Sequence, residues 1–275
     1  MKTALVTGGT SGIGLSVARG LCSLGWQVLV VGSSKASCQR AASSLKGKAV
    51  GEVHFFAADL IDPQETAALC EQLQQFVAAR CQGLLDAVIF NAGAFMPSAP
   101  VASDGLEGHL ALHCISAHRL WKGLAAFVER ARGRVIFSGS SWHQLIGNAD
   151  PQSLFSPPYP KGLRAYALSK LGVNWLGTAL CKAHPTVSFY VVDPSWVYTG
   201  LMTKHTASFL CRLLKCIICF GISSGKAAST YITLCQANPP LPPLYYADRK
   251  RRSPSPLSQD EQKAASFLAL CRQKG

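Results

Sequence analysis

Acidic residues are scarce in this 275-residue chain: 14 Asp and Glu face 27 Lys and Arg, a formal net charge of +13. Charge of either sign is also sparse, at 15% of residues, while apolar residues make up 48%, which excludes an intrinsically disordered chain. No Pro/Gly/Ser-rich linker separates periodic segments in the first 240 residues, and no internal repeat is present. One folded unit over 1–275 is the simpler expectation. No signal segment precedes the first apolar run, so the fold is expected to start at Lys2. The 11 cysteines are odd in number and scattered, many in apolar segments (Cys22, Cys70, Cys181, Cys235). That pattern excludes a disulfide framework and fits a reduced, intracellular protein, cytoplasmic or bound peripherally to an internal membrane. Basic residues are spread out except at Arg249, Lys250, Arg251 and Arg252, and no nucleic-acid module accompanies them. No nucleic-acid partner is expected. An anionic cofactor or an anionic membrane surface accounts for the sign, and most of these cations read as a solvated face.

What is present begins at residue 1. Ala4, Leu5 and Val6 form an apolar run too short for a helix and bounded by glycines, which reads as a buried strand. Gly8, Gly12 and Gly14 follow, and a helical stretch starts near Ile13. Gly8 permits a tight turn out of the strand. Gly12 permits close approach of backbone to a bound group. Gly14 permits hard packing of helix on strand. The first-turn N–H groups then converge on one spot that suits a pyrophosphate, although tight strand–helix turns also need glycine for structural reasons alone.

Apolar positions at Leu15, Val17, Ala18, Leu21 and Leu24 predict a helix ended by Gly25, and Gln27–Val31 reads as a second strand. Strand, helix and strand at this spacing make a right-handed parallel unit. The second strand ends in Gly32, Ser33, Ser34 and Lys35, with Arg40 about a turn later and no carboxylate. Hydroxyls and a cation at this place suit the 2′-phosphate of NADP(H), with NAD(H) as the other option. Ser33 and Ser34 also suit a helix cap, and both roles are compatible. Further strands are expected at Val53–Ala57, Leu84–Phe90, Arg134–Ser138, Val187–Val192 and Leu244–Ala247. Helices are expected after Asp62-Pro63, over about Asp104–Val128, Leu163–Ala183, Ser224–Gln236 and Glu261–Cys271, and a surface loop over 147–162.

Tyr166 and Lys170 lie four apart on one helix and share a face. A lysine beside a tyrosine favours the phenolate and brings the phenol toward neutral pH. Ser140 stands at the carboxyl end of a strand, on the same sheet edge as the glycine turn and Asn91.

Five features stand in order: Thr7-Gly8-x-x-x-Gly12-Ile13-Gly14, Asp59 after the third strand, Asn91-Ala92-Gly93, Ser140, and Tyr166-x-x-x-Lys170. In this the chain resembles the short-chain dehydrogenase/reductase family. The long Ser140–Tyr166 spacing and the ending Leu244-Tyr245-Tyr246-Ala247-Asp248 are similar to its retinol dehydrogenase-like branch. The resemblance implies a Rossmann-type, doubly wound parallel sheet of about seven strands with helices on both faces. It implies an NAD(P)-dependent oxidoreductase acting on an apolar carbonyl or alcohol such as a retinoid, steroid or lipid aldehyde. Tyr166 would exchange a proton with the substrate oxygen, Lys170 would assist it and hold ribose hydroxyls, and Ser140 would hydrogen-bond the reacting oxygen. Implied cofactor contacts run through Gly8, Thr10, Ser11, Gly12, Ile13, Gly14, Ser33, Ser34, Lys35, Asp59, Leu60, Asn91, Ala92, Gly93, Tyr166, Lys170, Pro194, Val197 and Thr199. Asp59 would meet the adenine, Asn91 would steady the central strand, and Thr199 would meet the carboxamide. Homodimers and tetramers are common in the family.

Three departures stand out. His113 takes the place of the family's fourth catalytic residue, an asparagine that helps hold a water in a proton relay; a histidine can also bond water. The family's Pro-Gly after the sixth strand is Pro194-Ser195, which would shift the loop over the nicotinamide. The branch's usual arginine after the second strand is Ser33, which weakens the NADP(H) assignment. A catalytically weak cofactor-binding regulator or scaffold is the alternative reading. The apolar stretch 207–222 holds Arg212 and Lys215 and is too short to span a bilayer. It reads either as part of a substrate-pocket lid over about 195–240 or as a peripheral membrane contact. Cys216-x-x-Cys219 lacks a second ligand pair, so no metal is expected. His143 is expected to line the pocket.

Overall fold

Short runs of β-branched and aromatic residues set the centre of the molecule. In the computed structural model, which describes residues 1–45, 50–195 and 222–274, they form β1 (Thr3–Thr7), β2 (Gln27–Gly32), β3 (Val53–Ala57), β4 (Ala87–Phe90), β5 (Arg134–Ser138), β6 (Ser188–Asp193), β7 (Leu244–Ala247) and β8 (Lys250–Arg251). One sheet holds them in the order β3-β2-β1-β4-β5-β6-β7-β8. All neighbours pair in parallel except β8, which turns back antiparallel on β7. Every residue of β1, β2, β4 and β5 is buried, because helices cover both faces. The two charged residues of β8 are exposed and close the sheet edge against further pairing.

Side chains alternate between two apolar layers. Leu5, Leu29, Val88 and Phe137 point to one face. There they meet α3 (Pro63–Arg80), α5 (Ser116–Arg130), α6 (Gly162–Ala183) and α8 (Glu261–Lys274). Val6, Val30, Ile89 and Ile136 point to the other face, against α1 (Gly12–Ser23) and α7 (Ser224–Gln236). The remaining helices are α2 (Lys35–Leu45) and the single turn α4 (Gly108–Leu110). Asp62 caps α3 by accepting from Gln64 N and Glu65 N at 2.7 and 3.1 Å, with Pro63 as its first residue.

The expected doubly wound sheet is present, with one antiparallel strand beyond the seven parallel ones. Two local expectations differ. The helix predicted from about Asp104 begins at Gly108 and loosens into a π turn over Ala111–Ile115 before α5. The loop 147–162 is not all surface. Ala149, Leu154 and Phe155 are buried, and the Phe155 ring packs 5.5 Å from Phe267 of α8. The strand order reverses between β1 and β4, and a cleft opens there at the carboxyl ends of the strands.

Candidate active site

The glycine turn shapes one wall of this cleft. Gly8 and Gly12 have φ of +63° and +54°, the left-handed region that glycine enters without penalty. A Cβ on Gly14 would lie 2.4 Å from the Gly8 carbonyl oxygen and 2.5 Å from the Asn91 amide nitrogen, so only glycine fits. The N-cap of α1, Ser11, makes no side-chain cap, and the first turn of α1 carries no acidic residue. Its N–H groups face the cleft with the positive end of the helix dipole behind them.

The cavity has a volume of about 880 Å³. It brings together Gly8, Thr10, Ser11, Gly12 and Ile13 with Ser33, Asp59, Leu60, Asn91, Ala92, Gly93, Tyr166, Lys170 and Pro194. Gly14 lies beneath the turn rather than on the wall. Ser34 and Lys35 stand outside the wall: the Ser34 hydroxyl accepts from Ser37 N at 3.2 Å and caps α2. Lys35 and Arg40 are exposed close by. Val197, Thr199 and most of the 207–222 stretch lie outside the described residues. The shape, the uncapped helix end and the absence of a carboxylate after β2 fit a dinucleotide along the sheet edge, with Asp59 at one end and Tyr166 at the other.

Asn91 ties this edge together. Its amide donates to the carbonyls of Thr7 and Gly8 at 3.2 and 3.3 Å, and its oxygen accepts from the Ser138 hydroxyl at 3.4 Å. The Asp59 carboxylate accepts from Ile61 N at 2.9 Å and faces the cavity.

Tyr166 is 8% exposed, on the innermost turn of α6. Four rings surround its phenol: Phe95, His109, His113 and Trp142, with centroids 5.5–5.9 Å away. Burial pushes its pKa up to about 12; the hydrogen bond with the Ser140 hydroxyl works the other way, and the Asp193 charge adds to the rise. Lys170 is 4% exposed, and its Nζ donates to the Ser138 carbonyl at 2.9 Å. Burial pulls its pKa down to about 8, against the pull of Cys114 and Asp193. The expected lysine-assisted phenolate is therefore not the resting arrangement. Lys170 points past the tyrosine ring, 5.6 Å from its centroid, to the strand backbone.

His113 also differs from expectation. It lies behind the wall, and its Nε2 accepts from Ala94 N at 3.1 Å. The proton therefore sits on Nδ1, which donates to the Ser169 hydroxyl at 2.8 Å. No ring nitrogen remains for a relay water. Burial, with the charges of Lys170 and His109, holds His113 well below the usual histidine range. His143 does not line the cavity. Fully buried, it donates from Nδ1 to the Ser140 carbonyl at 2.6 Å and accepts from Ser255 N at 3.3 Å. It thereby fixes Ser140 against the carboxyl-terminal segment.

Ser195 has φ +61°, so the loop keeps the left-handed turn that glycine would give. Asp193 Oδ1 holds it by accepting from Ser195 N at 2.9 Å. Sequence reasoning missed His109, Glu107 and Ser169 as site residues. The Glu107-x-His109 spacing ahead of the helix was a readable signal. Ser169, inside the Tyr-x-x-x-Lys span, gave none.

The short chain dehydrogenase family model matches residues 2–208. The chain is 31% identical over 226 residues to mouse (Mus musculus) polyprenol dehydrogenase, covering 78% of this chain and 64% of that protein. It is 29% identical over 270 residues to human (Homo sapiens) retinol dehydrogenase 12, covering 96% and 83%. It spans less than two thirds of the length of the curated relatives first matched. Among solved structures, an alcohol dehydrogenase from Thermococcus sibiricus complexed with 5-hydroxy-NADP superposes with a TM-score of 0.68 at 17% identity, covering 93% of this chain and 100% of that one. With that fold, the ordered glycine turn and the match over most of its length, the chain belongs to the short-chain dehydrogenase family.

Proposed function

We propose that this chain is an NADP(H)-preferring oxidoreductase that interconverts a carbonyl and an alcohol on an apolar substrate. The observation that carries it is the convergence, on one cavity, of an uncapped helix end, Asp59, Asn91, Tyr166 and Lys170. A bound nicotinamide supplies or accepts the hydride. The protein's part is at the substrate oxygen. Tyr166 holds a proton there at neutral pH, which readies it to protonate the oxygen of a carbonyl under reduction. Ser140 hydrogen-bonds that oxygen as charge develops. Lys170, released from the Ser138 carbonyl, meets the ribose hydroxyls.

Ser33 on the wall with Lys35 and Arg40 exposed nearby supports a 2′-phosphate. Phe95, Met96, Pro97 and Trp142 beside Tyr166 support an apolar substrate. Polyprenol and retinol, which name two of the relatives, are both apolar isoprenoid alcohols. Among the described residues, no helix is long and apolar enough to cross a membrane. The sequence of 207–222 supports a peripheral contact instead. His113 favours one second reading, a cofactor-binding chain with slow turnover, since its ring cannot take up a relay water.

The test is a fluorescence titration with NADPH and NADH, then a panel of apolar carbonyls and alcohols with Tyr166→Phe as control. Tighter NADPH binding and turnover lost in the variant are expected. Binding of neither nucleotide, or binding with no turnover across the panel, overturns the oxidoreductase reading.

A further inference from the structure

Two buried imidazoles grip the segment that follows β4. Ala94 N donates to His113 Nε2 at 3.1 Å, and Met96 N donates to His109 Nε2 at 2.9 Å. Each ring is anchored by its other nitrogen. His109 Nδ1 donates to the Glu107 carboxylate at 2.7 Å, and the second oxygen of Glu107 accepts from Leu110 N at 3.0 Å. His113 Nδ1 donates to the Ser169 hydroxyl, which donates to the Tyr166 carbonyl at 2.7 Å. Both rings stand nearly perpendicular to the phenol of Tyr166, at 88° and 87°.

We infer that His109 and His113 form a clamp that fixes the cavity wall at Ala94–Met96 against Tyr166, and that both are positioning residues rather than proton carriers. The inference rests on the reading of Tyr166 as the proton donor at the substrate oxygen.

Three observations converge on it. The rings are 0% and 3% exposed, so water does not compete for their nitrogens. All four ring nitrogens have partners, two of them backbone N–H groups that no protonated imidazole can accept from. The clamped residues belong to the wall: Ala94 and Met96 line the cavity, and Phe95 between them packs on Tyr166 at 5.9 Å. Relaxing either bond would move Phe95 and the phenol relative to each other, in a site where small misplacements slow the chemistry. The π turn over Ala111–Ile115 presents His113 to Ala94 and Ser169 together. The ionisable groups facing the clamp are Glu107, Tyr166 and Lys170, and the Lys170 charge opposes protonation of His113.

The test reads the clamp without needing turnover. In ¹⁵N-histidine-labelled full-length protein, both rings are expected as the neutral Nδ1–H tautomer throughout the range of a free imidazole. The Ala94 and Met96 amides are expected to be protected from exchange. His113→Phe keeps a ring and removes both bonds. It is expected to speed Ala94 exchange and lower kcat, each by at least about tenfold, the scale of one lost buried hydrogen bond, with KM changed far less. His113→Asn, which restores an acceptor, is expected to recover part of the kcat. An Nε2–H tautomer, a ring that titrates near neutral pH, unprotected amides, or a folded His113→Phe with wild-type kcat would each overturn the clamp. Wild-type protein that neither binds nucleotide nor turns over would remove the oxidoreductase reading instead, while tautomer and exchange still decide the clamp.

Discussion

Lys170 Nζ donates to the main-chain oxygen of Ser138 at 2.9 Å, so the one buried lysine of the cleft is tied to a strand end and not to a carboxylate. A buried ammonium without a counter-ion is held at a cost, and its pKa falls from 10.5 to about 8. Between those two values the unfolded chain keeps a proton that the native chain has released. Stability from this group therefore rises with pH across that window. Lys170→Met is expected to flatten that rise and to raise stability at pH 7 by roughly 1 kcal/mol, about 2–4 °C in Tm. Turnover should fall by ~10²-fold or more, since the residue is proposed to assist Tyr166. Thermal melts from pH 7 to 10.5 check the stability part, and an unchanged slope would sink it.

Tyr166 yields a directional pH prediction. With its phenol pushed up to about 12, the proton-donor form is fully populated at neutral pH. Carbonyl reduction is expected to be insensitive to this group from about pH 6 to 9. Alcohol oxidation needs the phenolate and should climb toward about tenfold per pH unit. Initial rates in both directions, with Tyr166→Phe as the blank, decide it. An oxidation rate that falls as pH rises would show that another group takes the proton.

Nucleotide preference is legible at one position. Ser33 lines the cavity at the end of β2, where a carboxylate would bind ribose hydroxyls and repel a 2′-phosphate. Ser33→Asp is expected to shift the NADPH-to-NADH affinity ratio by at least about tenfold toward NADH. Competitive titration reads the ratio directly. No shift would move the phosphate contact away from this loop.

The features that proved readable are local ones. Gly8, Gly12 and Gly14 announce a turn because their conformations and clearances are set within a few residues of chain and one neighbouring strand. Tyr166 and Lys170 share a face because helix periodicity dictates it. What stayed hidden depends on chain far away. His113 looked free to bond water, because its two partners sit 19 and 56 residues away along the sequence. Ser140 and His143 are three residues apart, but the meaning of His143 lies in Ser255, 112 residues on. The proline-rich 147–162 loop read as surface by composition, while Leu154 and Phe155 within it were the apolar signal of a docked segment.

Ser195 supplies a prediction in which the substitution stabilises. Its φ of +61° puts the Cβ near its carbonyl oxygen, a strain of roughly 1–2 kcal/mol that glycine lacks. Opposing this, glycine adds freedom to the unfolded chain, worth about 0.5–1 kcal/mol. The main-chain bond from Ser195 N to Asp193 Oδ1 survives the change. Only the 3.4 Å contact from the Ser195 hydroxyl to Asp248 is lost, and it is exposed. Ser195→Gly is therefore expected to raise stability by ~0.5 kcal/mol and to leave nucleotide affinity within about twofold. Denaturant unfolding checks the first and titration the second. A loss of more than about 1 kcal/mol would mean that the Asp248 contact, and not the backbone conformation, governs this turn.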